Sequence, residues 1–483
     1  MSKRFLTLLF LLTIPLFAAC KQDNTNKEEN QKESQPQEQT GEFDGEEWAK
    51  AAPMIKDGDV VLANSELTQK FIAEVNYADK TYANETKIFD YYGGFGSKVG
   101  EPLTWSNWSK NWPDGDKPNS YSIRWNGDSS YGKLKLHLAD DLGWAADTDI
   151  KAGACYVDIT NLVPNDKYTF KVTAADGTVI TEGKFSTTGN LHQVFFKTKC
   201  RNARDLGGWK TEDGKTIKYR KVYRGGRMND PWEVMLNATG KKEVLAEGIG
   251  AELELRGSDD FMLVPAVDEM DHCHPCIEEG GKVMLGVTKP SAKNLIKWLV
   301  LDPTSPWTEE QRVPYRVTTS HGYGYKLSDN AVTDITPTLT EQDYTAFQAA
   351  YKAKTKECFE FVANSVHAGK GCYFHCSLGR DRTGTMGVII MGVLGVREGE
   401  ISKEYELTYF APVGFSVSSS DKETNTQPVF KNDRTHWVYS DIVPYFWQLA
   451  GSGSFASGVE KYLVQEAGVS QALIDQFRSD MLQ

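Results

Sequence analysis

Positive charge is in short supply in this chain. Its 483 residues carry 54 Lys and Arg against 66 Asp and Glu, a formal net charge of −12. A nucleic-acid binder ordinarily shows the opposite balance, which sets that class aside. Apolarity is modest: the mean hydropathy of −0.47 excludes a polytopic membrane protein. Cysteine is sparse, with eight residues in the whole chain, far below the density of a disulfide scaffold. There is no internal repeat, which removes solenoids and propellers. What remains is 40% hydrophobic and 11% aromatic, enough for real cores. At roughly 100–200 residues per domain, the length suggests two or three of them.

Residues 1–20 read as an address rather than a fold. Lys3 and Arg4 form a positive start, and Phe5 to Ala19 form an apolar stretch too short for a comfortable membrane span. It ends in Phe17-Ala18-Ala19-Cys20, which resembles a bacterial lipoprotein signal. The resemblance implies cleavage before Cys20, lipidation of its thiol, and an exported protein anchored at the cell envelope. An ordinary secretory signal is the alternative, and it also exports the chain. Residues 21–46 hold one large apolar residue, Phe43, so the expectation is a disordered tether.

Residues 47–190 look β-rich. Tyr168, Phe170 and Val172 alternate with polar neighbours, as in a half-buried strand. Ala175-Asp176-Gly177 is a turn, and Gly183 to Thr187 suggests a last strand. Leu162-Val163-Pro164 followed by this Tyr-x-Phe-x-Val pattern resembles the end of a fibronectin type III or immunoglobulin-like sandwich. Trp105, Trp108, Trp112, Trp125 and Trp144 fit either sandwich packing or a carbohydrate platform, with packing preferred.

From residue 195 the grammar changes. Tyr344, Phe347, Tyr351, Cys358, Phe359, Val362 and Val366 recur at helical spacing, with Thr340 and Asp343 as a capping pair. Gly369 and Gly371 break that helix, Cys372-Tyr373-Phe374 makes a short buried strand, and Thr383 to Leu394 an apolar helix. The order strand, loop, helix is that of an α/β phosphate site.

The loop between them reads His375-Cys376-Ser377-Leu378-Gly379-Arg380-Asp381-Arg382-Thr383. A thiolate makes a strong nucleophile, and a helix N-terminus behind it favours both the thiolate and a bound dianion. Gly379 lets the backbone curl so that successive N–H groups point inward. Arg382 offers a planar fork that grips two phosphate oxygens, which Lys does not.

This loop resembles that of the protein tyrosine phosphatase superfamily, His-Cys-x5-Arg-Thr. More narrowly it resembles the bacterial tyrosine/serine phosphatase family typified by His-Cys-x-x-Gly-Lys-Asp-Arg-Thr-Gly, with Arg380 in place of Lys. Asn202-Ala203-Arg204-Asp205-Leu206-Gly207-Gly208 resembles that family's opening motif, and Val222-Tyr223-Arg224-Gly225-Gly226 its next strand. Glu254-Leu255-Arg256-Gly257 resembles its Asp-Leu-Arg-Ser strand end. Ile401 to Tyr405 and Val459 to Leu463 look like its C-terminal helices. The resemblance covers 195–483 and implies an α/β cysteine-phosphatase domain with a central sheet flanked by helices, behind the N-terminal all-β sandwich.

It also implies roles. Cys376 attacks phosphorus and becomes a phosphocysteine. Arg382 binds the phosphoryl oxygens, His375 orients the loop, and Thr383 hydrogen-bonds the departing thiolate. Asp381 is the candidate general acid, with Asp334 its rival. Ser377, Leu378, Gly379 and Arg380 line the substrate, and Arg204, Asp205 and Arg256 support the loop. No metal or other cofactor is required. Trp112-Pro113-Asp114 spells the acid loop of classical tyrosine phosphatases but lies far from Cys376, and is read as coincidence. His272-Cys273-His274-Pro275-Cys276 has zinc-type ligands, yet such close neighbours seldom converge on one ion, so a disulfide or plain loop is preferred. Ser320 to Tyr325 is either a lid or a surface turn.

The expected function is an exported phosphomonoester hydrolase. Its expected partners are a phosphorylated protein or small phosphate ester and, through the lipid, a membrane. Phosphoinositides and inositol phosphates are the alternative substrates. A surface-binding protein with an inactive phosphatase-like domain is the rival of another class.

Overall fold

The period-two pattern around Tyr168 is realised in the computed structural model. It describes residues 45–75, 77–80, 116–127, 129–196, 202–226, 238–255, 325–328, 331–334, 341–376, 379–410 and 442–483. The strands among them are β1 Val60–Leu62, β2 Tyr121–Arg124, β3 Leu134–Asp140, β4 Ala145–Ile150, β5 Tyr156–Ile159, β6 Lys167–Ala174 and β7 Val179–Thr188. They continue with β8 Arg204–Asp205, β9 Val222–Gly225, β10 Ile249–Glu254, β11 Tyr325–Ser328, β12 Ala331–Asp334 and β13 Gly371–His375.

Strands β1 to β7 form a five-stranded sheet in the order β1-β7-β6-β3-β4 and a two-stranded ladder of β2 with β5. Along β6, Tyr168, Phe170 and Val172 are buried while Lys167, Thr169 and Lys171 face water. Leu134, Leu136 and Leu138 of β3 do the same, and register sets Leu136 beside Val172 and Leu138 beside Phe170. Ile123 of β2 and Ile159 of β5 enter the same core, so the two sheets share one interior. Each such side chain contributes about 1.5–3 kcal/mol when taken from water. Tyr168 stacks on Phe185 with centroids 5.1 Å apart. Its hydroxyl accepts from the Val163 N–H at 2.8 Å, and burial pushes its phenol well above the ordinary tyrosine range. Trp125 is a core residue, whereas Trp144 lies at the margin of that core.

The second sheet runs β10-β13-β9-β8. β10, β13 and β9 are parallel, and β8 is antiparallel to β9. Helix Glu341–His367 precedes β13 and helix Asp381–Val393 follows it. Both pack on β13, which reads as a continuous buried run, as expected of a strand covered on its faces. Helices Val443–Ala450, Phe455–Lys461 and Gln471–Met481 close the core, with Phe359 edge-on to Phe477 at 5.3 Å.

One piece of the N-terminal stretch packs with the second core. Ser65 caps helix Glu66–Ile72, accepting from Thr68 N–H at 3.0 Å. Phe71, Ile72 and Tyr77 lie in the core of the second sheet, and Phe71 sits 5.5 Å from Phe410. Residues 77–80 then line helix Glu398–Glu406. The Asp79 carboxylate accepts from Gly399 N–H at 3.0 Å, the Tyr77 hydroxyl donates to Glu406, and Lys403 Nζ donates to the Ile72 carbonyl at 3.1 Å. A Cβ at Gly399 would collide with the Tyr77 carbonyl, so this approach needs glycine. These residues fall inside the stretch expected to be β-rich; a seven-residue helix is too short for its period to stand out.

A second contact ties the sandwich to the sheet. Arg220 pairs with Asp140, lies 4.1 Å from the centre of the Trp144 ring, and approaches the Tyr168 hydroxyl at 3.4 Å. Trp144 Nε1 donates to the Ala246 carbonyl at 2.6 Å.

Candidate active site

Every residue of β13 is buried, and the chain leaves the sheet at Cys376, itself 3% exposed. Helix Asp381–Val393 starts soon after, and its N-cap residue Arg380 makes no side-chain capping bond. The Arg380 side chain therefore takes none of the first N–H groups of this helix. A thiol thus leaves a buried strand next to a helix start, the setting in which a thiolate and an oxyanion are both favoured.

Gly379 has φ +71, and a Cβ there would strike the backbone of Gly225 and Gly226. Only glycine fits this turn against the end of β9. The Gly379 carbonyl accepts from Arg224 Nη2 at 2.6 Å and from Asn202 Nδ2 at 2.9 Å. Arg224 is fully buried and also donates from Nη1 to Glu404 Oε2 at 2.6 Å. The other oxygen of Glu404 accepts from Arg204 Nε at 2.5 Å. Arg204 further donates to the Glu404 carbonyl at 2.8 Å and to the Asn202 side-chain oxygen. Burial pushes the Arg204 guanidinium down to about 10; Glu404 works against that and Arg224 adds to it. Two arginines from β8 and β9 thus share one carboxylate from helix Glu398–Glu406, directly behind the loop. Gly387 of helix Asp381–Val393 leaves room for the Arg224 guanidinium.

His375 lies between two acceptors. Its Nε2 is 2.7 Å from Glu252 Oε1, and its Nδ1 is 3.2 Å from the Cys376 carbonyl. His375 and Glu252 are both fully buried. Arg382, in the first helical turn, donates to the Leu255 carbonyl at 3.3 Å just past β10. Thr383 is buried, with its hydroxyl 3.5 Å from the Gly225 carbonyl. Cys372 lies on β13, four residues before Cys376, and burial pushes its thiol far above the usual cysteine range.

The expected residues divide accordingly. Cys376, Gly379, Arg380, Arg382 and Thr383 come together around one loop, with His375 at its base and Arg204 behind it. Asp381 opens the helix, and Asp334 ends β12 of the β11–β12 hairpin. Asp205 is not part of the loop. Its carboxylate accepts from Gly207 N–H at 2.8 Å and Arg220 N–H at 2.6 Å and faces His192 Nδ1 at 3.0 Å. Arg204 and Asp205 are strand neighbours, and strand neighbours point to opposite faces. Ser377, Leu378, Arg256, Cys20, Thr340, Trp112-Pro113-Asp114, the 272–276 cluster and residues 320–324 lie outside the described residues.

Four contributors carried no expected role: Asn202, Arg224, Glu252 and Glu404. Their signal is an ionisable or amide side chain set among apolar ones, as in Val222-Tyr223-Arg224 and Ala251-Glu252-Leu253. Buried ionisable groups of this kind are rare unless paired.

Residues 197–483 match the model of a family described as the tyrosine phosphatase family. No curated protein matches the chain.

Proposed function

The chain belongs to the tyrosine phosphatase family, and from that premise we propose an exported phosphomonoester hydrolase that works through a phosphocysteine. Membership makes it a phosphatase and implies a phosphorylated substrate. The observation that carries the finer reading is the emergence of Cys376 from a buried strand beside a loop locked at Gly379 and closed by the helix bearing Arg382.

The Cys376 thiolate attacks phosphorus as the ester P–O bond breaks. Arg382 and the loop N–H groups hold the phosphoryl oxygens as charge moves onto them. Asp381 delivers a proton to the leaving oxygen. Water then attacks phosphorus and gives a proton back to the ionised Asp381, the S–P bond breaks, inorganic phosphate leaves, and the thiolate is restored. His375, held by Glu252, sets the carbonyl of Cys376 and brings positive charge near the thiolate. The substrate we favour is a phosphotyrosine or phosphoserine protein.

The rest of the reading concerns address and accessory parts. Cys20 carries a lipid that anchors the chain at the bacterial envelope, residues 21–46 act as tether, and the sandwich is of the immunoglobulin or fibronectin III kind. The Tyr168 hydroxyl bonding back to Val163 N–H supports the last point, since such a corner is typical of these sandwiches.

Turnover of para-nitrophenyl phosphate, followed by acid quench and peptide mass mapping, tests the chemistry. A phosphate adduct on Cys376 during turnover is expected. Turnover with an unmodified Cys376 and an adduct elsewhere overturns the mechanism.

A further inference from the structure

The Gly379 carbonyl is held from behind by two donors that reach it from different strands and loops, and this has a geometric consequence. In a planar trans peptide the C=O and the following N–H point in opposite directions. With the carbonyl fixed toward Arg224 Nη2 at 2.6 Å and Asn202 Nδ2 at 2.9 Å, the N–H of Arg380 is turned the other way. The Gly379 α-carbon is itself packed against the backbone of Gly225 and Gly226, which leaves this peptide little room to rotate. We propose that Asn202, Arg224 and Glu404 are positioning residues that aim the Arg380 N–H at the bound phosphoryl group by pinning the Gly379 carbonyl. The proposal rests on the phosphatase reading above and assigns its oxyanion grip to residues outside the loop.

Each member is suited to the task. Asn202 sits at φ +55, a conformation that Asn tolerates better than most residues. Its amide is oriented without ambiguity. The oxygen faces Arg204 Nη1, which only donates, so the nitrogen must face Gly379 O and Thr408 Oγ1. Arg224 spans two acceptors, Glu404 Oε2 and Gly379 O, with the two nitrogens of one planar fork. Glu404 fixes that fork, because Arg204 occupies its other oxygen. A carboxylate so shared has little rotational freedom left. Thr408, 3.3 Å from both Asn202 and Arg204, lies just past the same helix and completes the cluster.

The cleanest test is Asn202→Asp in the full-length protein. Aspartate has the same shape, tolerates the same φ, and keeps the acceptor that faces Arg204. It replaces the donor at Gly379 O by a carboxylate oxygen that repels it. The readouts are the affinity for inorganic phosphate by titration calorimetry, kcat and KM for para-nitrophenyl phosphate, and the thermal midpoint. Phosphate affinity is expected to weaken by roughly tenfold or more, the loss typical of one hydrogen bond to a charged group. kcat is expected to fall with it while the midpoint stays near that of the wild type. Phosphate affinity within twofold of wild type in a folded variant overturns the proposal. Should Asn202→Asp fail to fold, Arg224→Lys is read in the same way. Its ammonium keeps the charge beside Glu404 but cannot serve both acceptors in one plane. A wild-type enzyme that binds phosphate yet turns nothing over would instead overturn the phosphatase reading, leaving the affinity comparison standing.

Discussion

Strands β6 and β13 both lie inside their sheets, but they bury different things. β6 alternates, with Tyr168, Phe170 and Val172 inward and two lysines outward. β13 buries all five of its residues, His375 included, and lies beside the buried Glu252 of β10. Behind its exit come Arg204, Arg224 and Glu404, all nearly inaccessible. The sandwich core packs aliphatic and aromatic side chains, and its buried ion pair, Asp140 with Arg220, lies where it meets the second sheet. Burial there repays itself through the hydrophobic effect. A buried ion pair rarely does, since desolvation offsets most of the attraction. The charged cluster behind Gly379 is therefore best explained by geometry it imposes, and the sandwich by stability it supplies.

Cys376→Ser breaks this comparison most sharply, because it should remove activity while changing one atom at the edge of the second core. Turnover is expected to fall by roughly 10⁴-fold or more, with inorganic phosphate still bound. Near-normal rates would mean that the thiol is not the nucleophile.

Asp381→Asn comes next. A general acid is worth about 10²–10⁴-fold when the leaving group is basic. Phosphotyrosine hydrolysis should slow strongly and an activated aryl ester much less. The sign follows from protonation: the acid works only while protonated, so the wild-type rate on phosphotyrosine falls as pH rises through its ionisation. That alkaline limb should flatten in the variant. If Asp334→Asn shows this pattern instead, the acid is Asp334.

Paired substitutions then separate the regions. Phe170→Ala opens a cavity in the sandwich and should cost about 3–5 kcal/mol in urea unfolding, with kcat per folded molecule unchanged. Glu404→Gln should cost a similar ~3–5 kcal/mol, because it leaves two buried arginines without their shared anion. It should also lower kcat of the folded fraction. Equal kcat in both variants would erase the distinction between the cores.

Thiol chemistry sharpens the contrast between β13 and the loop that follows it. Burial pushes the Cys372 thiol up, which keeps it protonated at neutral pH. Iodoacetate at pH 7 should label Cys376, with phosphate protecting it, and leave Cys372 unmodified. Labelling of Cys372 in the folded protein would show that the strand opens. The smallest effect expected is that of Tyr168→Phe. It strips the buried Val163 N–H of its acceptor, for about 1–3 kcal/mol of stability and no change in kcat.

Sequence and structure agree where the information is local. The alternation around Tyr168, the break at Gly369, the apolar strand before Cys376 and the helix after it all follow from neighbours a few residues apart. Helix Glu66–Ile72 was not legible, because two turns carry too little period and its packing partner, Phe410, is remote. Asp205 shows the same limit from the other side. Its neighbour Arg204 reaches the loop support, while Asp205 turns to His192 and Arg220.

The sequence by itself determined the candidate loop. Cys376, Gly379 and Arg382 lie within one short stretch, and covalent spacing alone brings a thiol, a turn and a guanidinium to one place. Only the tertiary structure decided what holds that loop in shape. Asn202 and Gly379 are 177 residues apart, and Arg204 and Glu404 are 200 apart. No periodicity spans such distances. Those contacts exist because β8, β9 and helix Glu398–Glu406 pack around β13, and a buried arginine must then find its carboxylate wherever the fold has placed one.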